Sequence, residues 1–238
     1  MAKDYMKVEP DRVALLGKHF TPGRGGRKIR YITRHHTAGV LNADQLNRVW
    51  SSRPASATYL IDPNGIVSQH VWDKDTPWSN ANSVSNQESI TIEHSNSAGA
   101  AQDWPINNIT IDEGARWTAA LCRFYKLGRP QFGVNVRDHR EFSSTSCPYH
   151  LARGGRYDAR WMRVAQAFYD ELTNPPKKEE GPLMALNDAE QHELLTKTRD
   201  IWDQLRGPGG KGWPQLGQNE QGDNLTPVDF LANLKKES

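Results

Sequence analysis

Strand-like and helix-like stretches alternate along the chain from about residue 28 to residue 173. The strand-like stretches are rich in β-branched and aromatic residues and comprise KIRYITRHH (28–36), the hairpin-like ATYLIDPNGIVSQHV (57–71), ESITIEHSN (88–96) and GVNVRDHREF (133–142). The helix-like stretches place apolar residues three and four positions apart and comprise LNADQLNRVWSS (41–52), TIDEGARWTAALCRFYKLG (110–128) and DARWMRVAQAFYDEL (158–172). This alternation predicts the α/β fold class, with a mixed central β-sheet flanked by helices.

Capping residues predict where individual helices begin and end. Asn42 or Asp44 is expected near the start of the first helix, and Thr110 or Asp112 at the start of the second. Glycine readily adopts the positive φ that commonly ends a helix, so we expect the second helix to extend to Gly128.

A linker and a small module follow the alternating region. Residues 173–183 are rich in proline and charged residues, which predicts a linker. Residues 184–238 predict a small helical module whose long helix begins at Asn187 or Asp188. About 55 residues with one long helix make a marginal core, so we expect this module to dock, to bind a surface or to associate with itself. Residues 1–172 then form the main domain.

Thirty basic and twenty-eight acidic residues give the chain a formal net charge of +2. The basic residues are scattered, so the composition offers no strong case for nucleic-acid binding. The one local basic cluster, GRGGRK (23–28), lacks the Lys-Ser/Thr ending of a phosphate-binding loop and is interpreted as a flexible lead-in. The sequence contains no apolar run of 18 residues and no signal-peptide pattern, so we expect synthesis in a cytosol and no membrane insertion.

Cysteine and histidine residues suggest a metal site. Cys122 lies in an apolar helical pattern and is expected to be buried, which leaves Cys147 as a candidate ligand. His139 lies eight residues before Cys147, and a catalytic zinc site needs three protein ligands and one open position. The pair His35 and His36 ends another predicted strand. Because neighbouring strand residues point to opposite faces, only one of the two can face a shared metal, and alternation does not tell which.

Three short motifs, taken in order, resemble a known enzyme family. HHTAG (35–39), SITIE (89–93) and the pattern H-x5-T-x-C-P (139–148) are similar to the zinc-dependent N-acetylmuramoyl-L-alanine amidases of the type-2 class. That class shares its fold with phage T7 lysozyme and the peptidoglycan recognition proteins. The resemblance covers roughly residues 28–165 and implies the type-2 amidase fold for this region.

The resemblance also implies roles for individual residues. By position in the motifs, His35, His139 and Cys147 would be the ligands of a Zn²⁺ cofactor. Thr145, six residues after the late histidine, would lie beside the metal. Glu93 in SITIE would be the catalytic acid and base.

The sequence departs from the family pattern at three places that bear on substrate contacts. Ala57 occupies the position where relatives similar to T7 lysozyme have a tyrosine near the metal, which gives more weight to Glu93. Ser79 follows Trp78 where many relatives have histidine. Tyr149 follows the Cys-Pro pair where a small residue is usual.

The implied reaction is hydrolysis of the amide bond between N-acetylmuramic acid and the L-Ala of the peptidoglycan stem peptide. With a C-terminal module and no signal peptide, the layout resembles a phage endolysin, which accumulates in the host cytoplasm and then lyses the cell wall. Bacterial peptidoglycan is the expected partner, and a homo-oligomer could form through residues 184–238.

Three other interpretations remain open at this point. The protein could be a cytosolic amidase that recycles wall fragments, or a peptidoglycan-binding protein of the same fold that does not cut. A purely structural zinc is the third, and it would need a fourth ligand, for which His36, His94 or His150 could serve.

Overall fold

The computed structural model describes residues 3–174 and 186–235. Contacts divide the chain into two compact units, Met1–Pro175 and Pro176–Ser238. The strands of the first unit are β1 (Arg12–Val13), β2 (Phe20–Thr21), β3 (Tyr31–His36), β4 (Tyr59–Ile61), β5 (Val67–Gln69), β6 (Thr76–Pro77), β7 (Ser89–His94) and β8 (Val136–Asp138). Its helices are α1 (Ala43–Ser52), α2 (Ser83–Glu88), α3 (Asn108–Phe124) and α4 (Asp158–Thr173).

Six of these strands form one central sheet in the order β1-β5-β4-β7-β3-β8. β3 runs parallel to both β7 and β8, and β4 runs parallel to β7. The hairpin of β4 and β5 supplies the antiparallel pair. Strands β2 and β6 form a separate antiparallel pair. A mixed, mostly parallel sheet with flanking helices confirms the predicted α/β fold class.

One face of the sheet carries the main apolar core. Branched residues of β3 and β7, among them Ile32, Ile90 and Ile92, pack against Trp117 and Cys122 of α3. Cys122 is buried in this core, as the sequence predicts. Helix α4 packs beside α3, so the two helices together cover this face.

The opposite face is covered only in part, and this leaves room for a site. Helix α1 packs Leu46 and Trp50 against Ala57 and Leu60 next to the hairpin. The cap of α1 is Asn42, whose side chain accepts a hydrogen bond from the backbone of Gln45. Beyond α1, the carboxyl ends of β3 and β7 open into a cleft.

The prediction for the start of α3 is wrong. Its cap is Asn107, whose side chain accepts a hydrogen bond from the backbone of Thr110. Thr110 instead donates its hydroxyl proton to the backbone oxygen of Asp62, and Asp112 pairs with Arg160. These partners are distant in sequence, so both residues have tasks other than capping.

Two further boundaries differ from the prediction. Helix α3 ends at Phe124, before the positive φ of Gly128. The strand predicted over residues 133–142 is limited to β8, because the chain turns into a short 3-10 helix at His139–Glu141. The carboxylate of Glu141 accepts a hydrogen bond from the backbone of Asp138, which stabilises this turn.

The interpretation of GRGGRK as a flexible lead-in is wrong at Arg24. The Arg24 side chain is buried, and its guanidinium donates hydrogen bonds to four backbone oxygens, those of Asp73, Gln87 and Ser89 at 2.6, 2.8 and 2.9 Å and that of Asn86 at 3.4 Å. These bonds anchor the segment to the loop after β5 and to the start of β7.

The described residues of the second unit, 186–235, include two α-helices, α5 (Asp188–Arg206) and α6 (Pro227–Leu234). Asn187 caps α5 together with Glu190, and Gly207 follows the helix with a φ of +75°. Gly207 and Gly212 are the only buried residues among the described part of this unit. Nine of its large apolar side chains are exposed: Leu194, Leu195, Ile201, Trp202, Leu205, Val228, Phe230, Leu231 and Leu234.

Most of the predicted linker, residues 173–183, lies outside the described residues. Within residues 3–174 and 186–235, no helix combines the length and the apolar character needed to cross a membrane.

Candidate metal centre

Three side chains from distant parts of the chain meet at the carboxyl edge of the sheet. The ligand atoms of His35, His139 and Cys147 all lie within 4.8 Å of one another. The Nδ1 atom of His35 is 3.7 Å from the Cys147 Sγ atom, and the rings of His35 and His139 have their centroids 4.4 Å apart. These are the three ligands that the family resemblance implies.

Strand register explains why the two histidines meet. Arg34 of β3 lies beside Asp138 of β8 in a parallel pair, so the next residues, His35 and His139, come out at the same edge. Polar groups at the carboxyl ends of parallel strands commonly form sites in this way. Cys147 then returns from the following loop.

The structure also distinguishes between the adjacent histidines. His35 is buried and faces the other two donors, whereas the ring of His36 stacks on Tyr149 with the centroids 5.9 Å apart. The backbone N–H of His36 approaches the Cys147 Sγ atom at 3.5 Å. His36 therefore contributes its backbone, and His35 its ring.

The protonation states of the cluster suit a cation. Burial, followed by the neighbouring His139, lowers the pKa of His35 well below its usual value, so the ring is neutral. Both ring nitrogens of His139 are buried without a hydrogen-bond partner among the described residues. A buried nitrogen without a partner carries a desolvation cost, and a bound metal ion would remove this cost for the one nitrogen that it contacts. Two imidazoles and one thiolate form a donor set typical of zinc.

The Cys147 sulfur needs a nearby cation to act as a thiolate ligand. Burial and then the nearby charge of Glu93 raise the pKa of this thiol well above its usual value. A thiolate at this position therefore requires a compensating positive charge, which a divalent cation would provide.

Glu93 faces the cluster from the neighbouring strand. It is the register partner of His35 in the parallel pair of β3 and β7, so both side chains project from the same face. Its Oε2 atom is buried and has no hydrogen-bond partner among the described residues. Burial raises the pKa of this carboxyl to about 8, and the positive charge of Arg53 opposes the shift.

Thr145 lies on the loop that leads to Cys147. Its hydroxyl oxygen accepts a hydrogen bond from the backbone N–H of Cys147 at 3.2 Å. The hydroxyl proton is therefore available for donation. Thr145, Glu93 and the three clustered donors line one cleft of about 280 Å³. The wall of the cleft beyond them is formed by Leu41, Val49, Trp50, Arg53 and Trp78.

The other histidines considered as a fourth ligand are not part of the cluster. The ring of His94 lies on the opposite face, where its Nδ1 donates to the His35 backbone oxygen and its Nε2 accepts from the indole of Trp161. His150 bonds to Asp103. The described residues thus bring three donors together, which leaves coordination positions for water and substrate.

Two residues that differ from the family pattern have identifiable environments. Ala57 is buried under α1. Tyr59 points to the other face, where its hydroxyl donates to Asp73, so it does not replace a tyrosine beside the metal. Tyr149 donates its hydroxyl proton to Asp103 at 2.6 Å.

Sequence reasoning missed one buried partner of the cluster. The side chain of Asn80, in the loop before α2, lies 2.9 Å from the Nε2 atom of His35. Its position in the sequence, 45 residues from His35 and in no recognisable motif, gave no signal.

A mostly parallel sheet that ends in this cluster defines a candidate metal-dependent hydrolase, and comparison with known proteins gives the family. The family model of N-acetylmuramoyl-L-alanine amidases matches residues 25–150. Because this match covers more than half of the chain, the chain belongs to the N-acetylmuramoyl-L-alanine amidase family. A second model, described as the Rv3766 C-terminal domain, matches residues 186–238.

Solved structures share the fold of the first unit. The structure of PlyL superposes with a TM-score of 0.54 at 20% identity, covering 66% of this chain and 97% of that one. Hydrolase AmiA of Staphylococcus aureus, in complex with its ligand, superposes with a TM-score of 0.54 at 14% identity. This match covers 69% of this chain and 86% of that one. The catalytic domain of XlyA superposes with a TM-score of 0.51 at 20% identity, covering 64% of this chain and 98% of that one. At these identities the likeness shows the fold.

A curated relative matches a shorter stretch. The uncharacterized protein Rv3766 of Mycobacterium tuberculosis is 74% identical over 57 residues, which are 24% of this chain and 21% of that protein. The chain thus spans about a fifth of the length of this relative.

Proposed function

We propose that this protein is a zinc-dependent amidase that hydrolyses the bond between N-acetylmuramic acid and the L-Ala of peptidoglycan. One observation carries the proposal: His35, His139 and Cys147 bring three zinc-type donors within 4.8 Å, inside the region that matches the amidase family. The partnerless nitrogens of His139 support a bound cation at this point.

The chemistry needs a water nucleophile and a polarised amide carbonyl. A zinc ion held by His35, His139 and Cys147 would act as a Lewis acid, which would lower the pKa of water toward about 7 and polarise the amide carbonyl. The chain's own part is to hold two imidazoles neutral, to present the sulfur of Cys147 beside them and to leave one side of the cluster open to the cleft.

Glu93 is the proposed acid and base. Its free Oε2 atom lies on the face that carries His35, where it can take a proton from the attacking water and deliver it to the leaving amine nitrogen. Burial raises its pKa to about 8 without a cation, and a nearby positive charge favours the ionised form.

Thr145 is proposed to donate its hydroxyl proton to the oxyanion that forms on the scissile carbonyl. Because the Thr145 oxygen already accepts the Cys147 N–H, the hydroxyl is held at the edge of the cleft. A fixed donor of this kind stabilises charge that develops only in the transition state.

The cellular role is proposed from the layout of the chain. A catalytic unit followed by a second, separately matched unit is similar to a phage endolysin that accumulates in the host cytoplasm and then degrades the cell wall. In this proposal the unit of residues 186–235 binds the wall or associates with itself through its exposed apolar side chains.

A metal assay combined with identification of the cleaved bond tests the proposal. Purified protein should contain about one zinc per chain and release L-Ala amino termini from cell walls. Cys147→Ser should abolish both, whereas Cys122→Ala, which replaces the buried core cysteine, should retain both. Full activity of Cys147→Ser would contradict the zinc mechanism. Wall binding without new amino termini would instead favour the peptidoglycan-binding alternative.

A further inference from the structure

The buried contact between His35 and Asn80 has a direction that the surrounding hydrogen bonds determine. The two side chains are 2% and 0% exposed, and the Nε2 atom of His35 lies 2.9 Å from the Oδ1 atom of Asn80. An amide can present either its oxygen or its nitrogen to a neighbour, so the partners on its other side decide which one it presents.

A serine decides the orientation of the Asn80 amide. The hydroxyl of Ser89 donates its single proton to the backbone oxygen of Ser85 at 2.7 Å. Ser89 can therefore only accept from Asn80, whose Nδ2 group lies 3.2 Å away. The Asn80 nitrogen is thus directed to Ser89, and its oxygen is directed to His35.

The backbone of Asn80 is held as firmly as its side chain. Its N–H donates to the Oδ1 atom of Asn86 in α2 at 2.7 Å, and the same oxygen accepts from the backbone N–H of Ser79 at 3.3 Å. The side chain therefore cannot follow the His35 ring if that ring turns.

An acceptor facing Nε2 requires that Nε2 carry the ring proton. The lone pair of neutral His35 then lies on Nδ1, the atom that is 3.7 Å from the Cys147 Sγ atom. We propose that Asn80 is a positioning residue, which fixes the Nε2–H tautomer and the ring orientation of His35 so that Nδ1 is ready to bind zinc. Asn80 is not one of the three clustered donors and does not line the cleft, so it acts through His35.

The chemistry of the acceptor matters as well. Metal-bound histidines commonly donate their second N–H to a carboxylate or a carbonyl, and loss of that partner typically costs tenfold to a hundredfold in metal affinity. Asn80 provides a neutral carbonyl, so it orients the ring without adding a negative charge to the thiolate of Cys147 and the carboxylate of Glu93.

Two measurements on the full-length protein test the inference. Two-bond 1H–15N correlation spectra of the metal-free protein report which ring nitrogen of His35 carries the proton, and competition with a chelating dye reports zinc affinity. The wild type should show the Nε2–H form. Asn80→Leu should populate the Nδ1–H form and bind zinc about tenfold to a hundredfold more weakly. Asn80→Asp, which keeps an acceptor facing Nε2, should keep the Nε2–H form of His35.

Asn82→Ala is the matched control, because Asn82 caps α2 in the same segment but is exposed and has no contact with His35. In this variant, the His35 tautomer and the zinc affinity should equal those of the wild type. The inference is overturned if metal-free wild type shows the Nδ1–H form, if Asn80→Leu leaves both readings unchanged, or if Asn82→Ala weakens zinc equally. The spectrum of the metal-free wild type tests the predicted His35 tautomer even if Asn80→Leu does not fold.

The inference rests on the proposed zinc site, but the two can fail separately. Absence of zinc binding by the wild type would contradict the proposed function, and the tautomer of His35 could still be measured. A protein that binds zinc with His35 in the Nδ1–H form before loading would leave the proposed function intact and remove the role of Asn80.

Discussion

Arg34 and Asp138 form a buried ion pair between β3 and β8, and each stands one residue before a histidine of the metal centre. The Nε atom of Arg34 lies 2.8 Å from the Oδ1 atom of Asp138, and both side chains are 0% exposed. Because side chains alternate along a strand, this pair lies on the face of the sheet opposite to His35, and His139 follows Asp138 at the start of the short 3-10 helix. The ion pair thus stabilises the register of β3 and β8, and this register brings His35 and His139 together.

We expect Asp138→Asn to lower the free energy of unfolding by about 3 kcal/mol or more, because it leaves the buried Arg34 without one of its two carboxylates. Denaturant titration of the metal-free protein measures the change. The control is Asp170→Asn, which breaks an exposed pair with Arg129 and should cost less than about 1 kcal/mol. Equal losses in the two variants would contradict the structural role of the buried pair.

Gly114→Ala should destabilise the protein although alanine favours helices. A Cβ atom at Gly114, in the middle of α3, would overlap with the Nε2 atom of His94, whose ring is held between Trp161 and the His35 backbone oxygen. We expect a loss of about 2 kcal/mol or more in the free energy of unfolding. Gly17→Ala meets no atom within 4 Å and should change stability by less than about 0.5 kcal/mol. A stabilised Gly114→Ala variant would show that the His94 ring is free to move.

Protein stability should fall as the pH decreases through the range in which His70 becomes charged. Burial, together with the positive charge of Arg12, lowers the pKa of His70 from 6.5 to about 4. As the pH falls, the unfolded chain therefore binds a proton at His70 before the folded protein does. The contribution of neutral His70 to the free energy of unfolding is complete above pH 6.5 and is lost progressively as the pH falls to about 4. The total amounts to roughly 3 kcal/mol.

Unfolding titrations of wild type and His70→Gln at several pH values between 7 and 4 measure this contribution. The stability difference between the two proteins should shrink as the pH falls. His192→Gln, which removes an exposed histidine of α5, is the control for loss of one imidazole. A difference that is constant with pH would rule out a neutral, buried His70.

Glu93→Gln should separate catalysis from metal binding. The variant keeps the shape of the side chain but cannot take a proton, so we expect kcat to fall by roughly 10²–10⁴-fold. Zinc content should stay at the wild-type level, because Glu93 is not one of the three clustered donors. Glu171→Gln, on the exposed surface of α4, is the control and should retain full activity. An active Glu93→Gln enzyme would assign the proton transfer to another group.

The sequence predicts the fold well where the signals are local. The alternating stretches and the Asp62–Gly65 turn are short-range patterns, and the structure has the expected strands, helices and hairpin at these places. The cap of α3 was mispredicted because Asn107, Thr110 and Asp112 are all good capping residues by type. The choice among them depends on Asp62 and Arg160, which are distant in sequence.

In the candidate site, too, the residues in local motifs could be predicted and their partners distant in sequence could not. The clustered donors could be named because the motifs carry them, and the structure brings them together. Asn80 and Arg34 could not be found, since an asparagine in a loop and an arginine in a strand have no pattern that reveals a buried partner 45 or 104 residues away. Such partners follow from the packing of the sheet and its loops, which only the three-dimensional structure supplies.

The raised pKa of the Cys147 thiol links metal loading to acidity. Without a cation this sulfur keeps its proton at neutral pH, and a protonated thiol is slow to react with oxidants. Uptake of zinc in the proposed centre would release that proton, so the affinity for the ion would weaken by about tenfold for each unit by which the pH falls. The desolvation that keeps the free thiol protonated would thus make hydrogen ions a direct competitor of the metal.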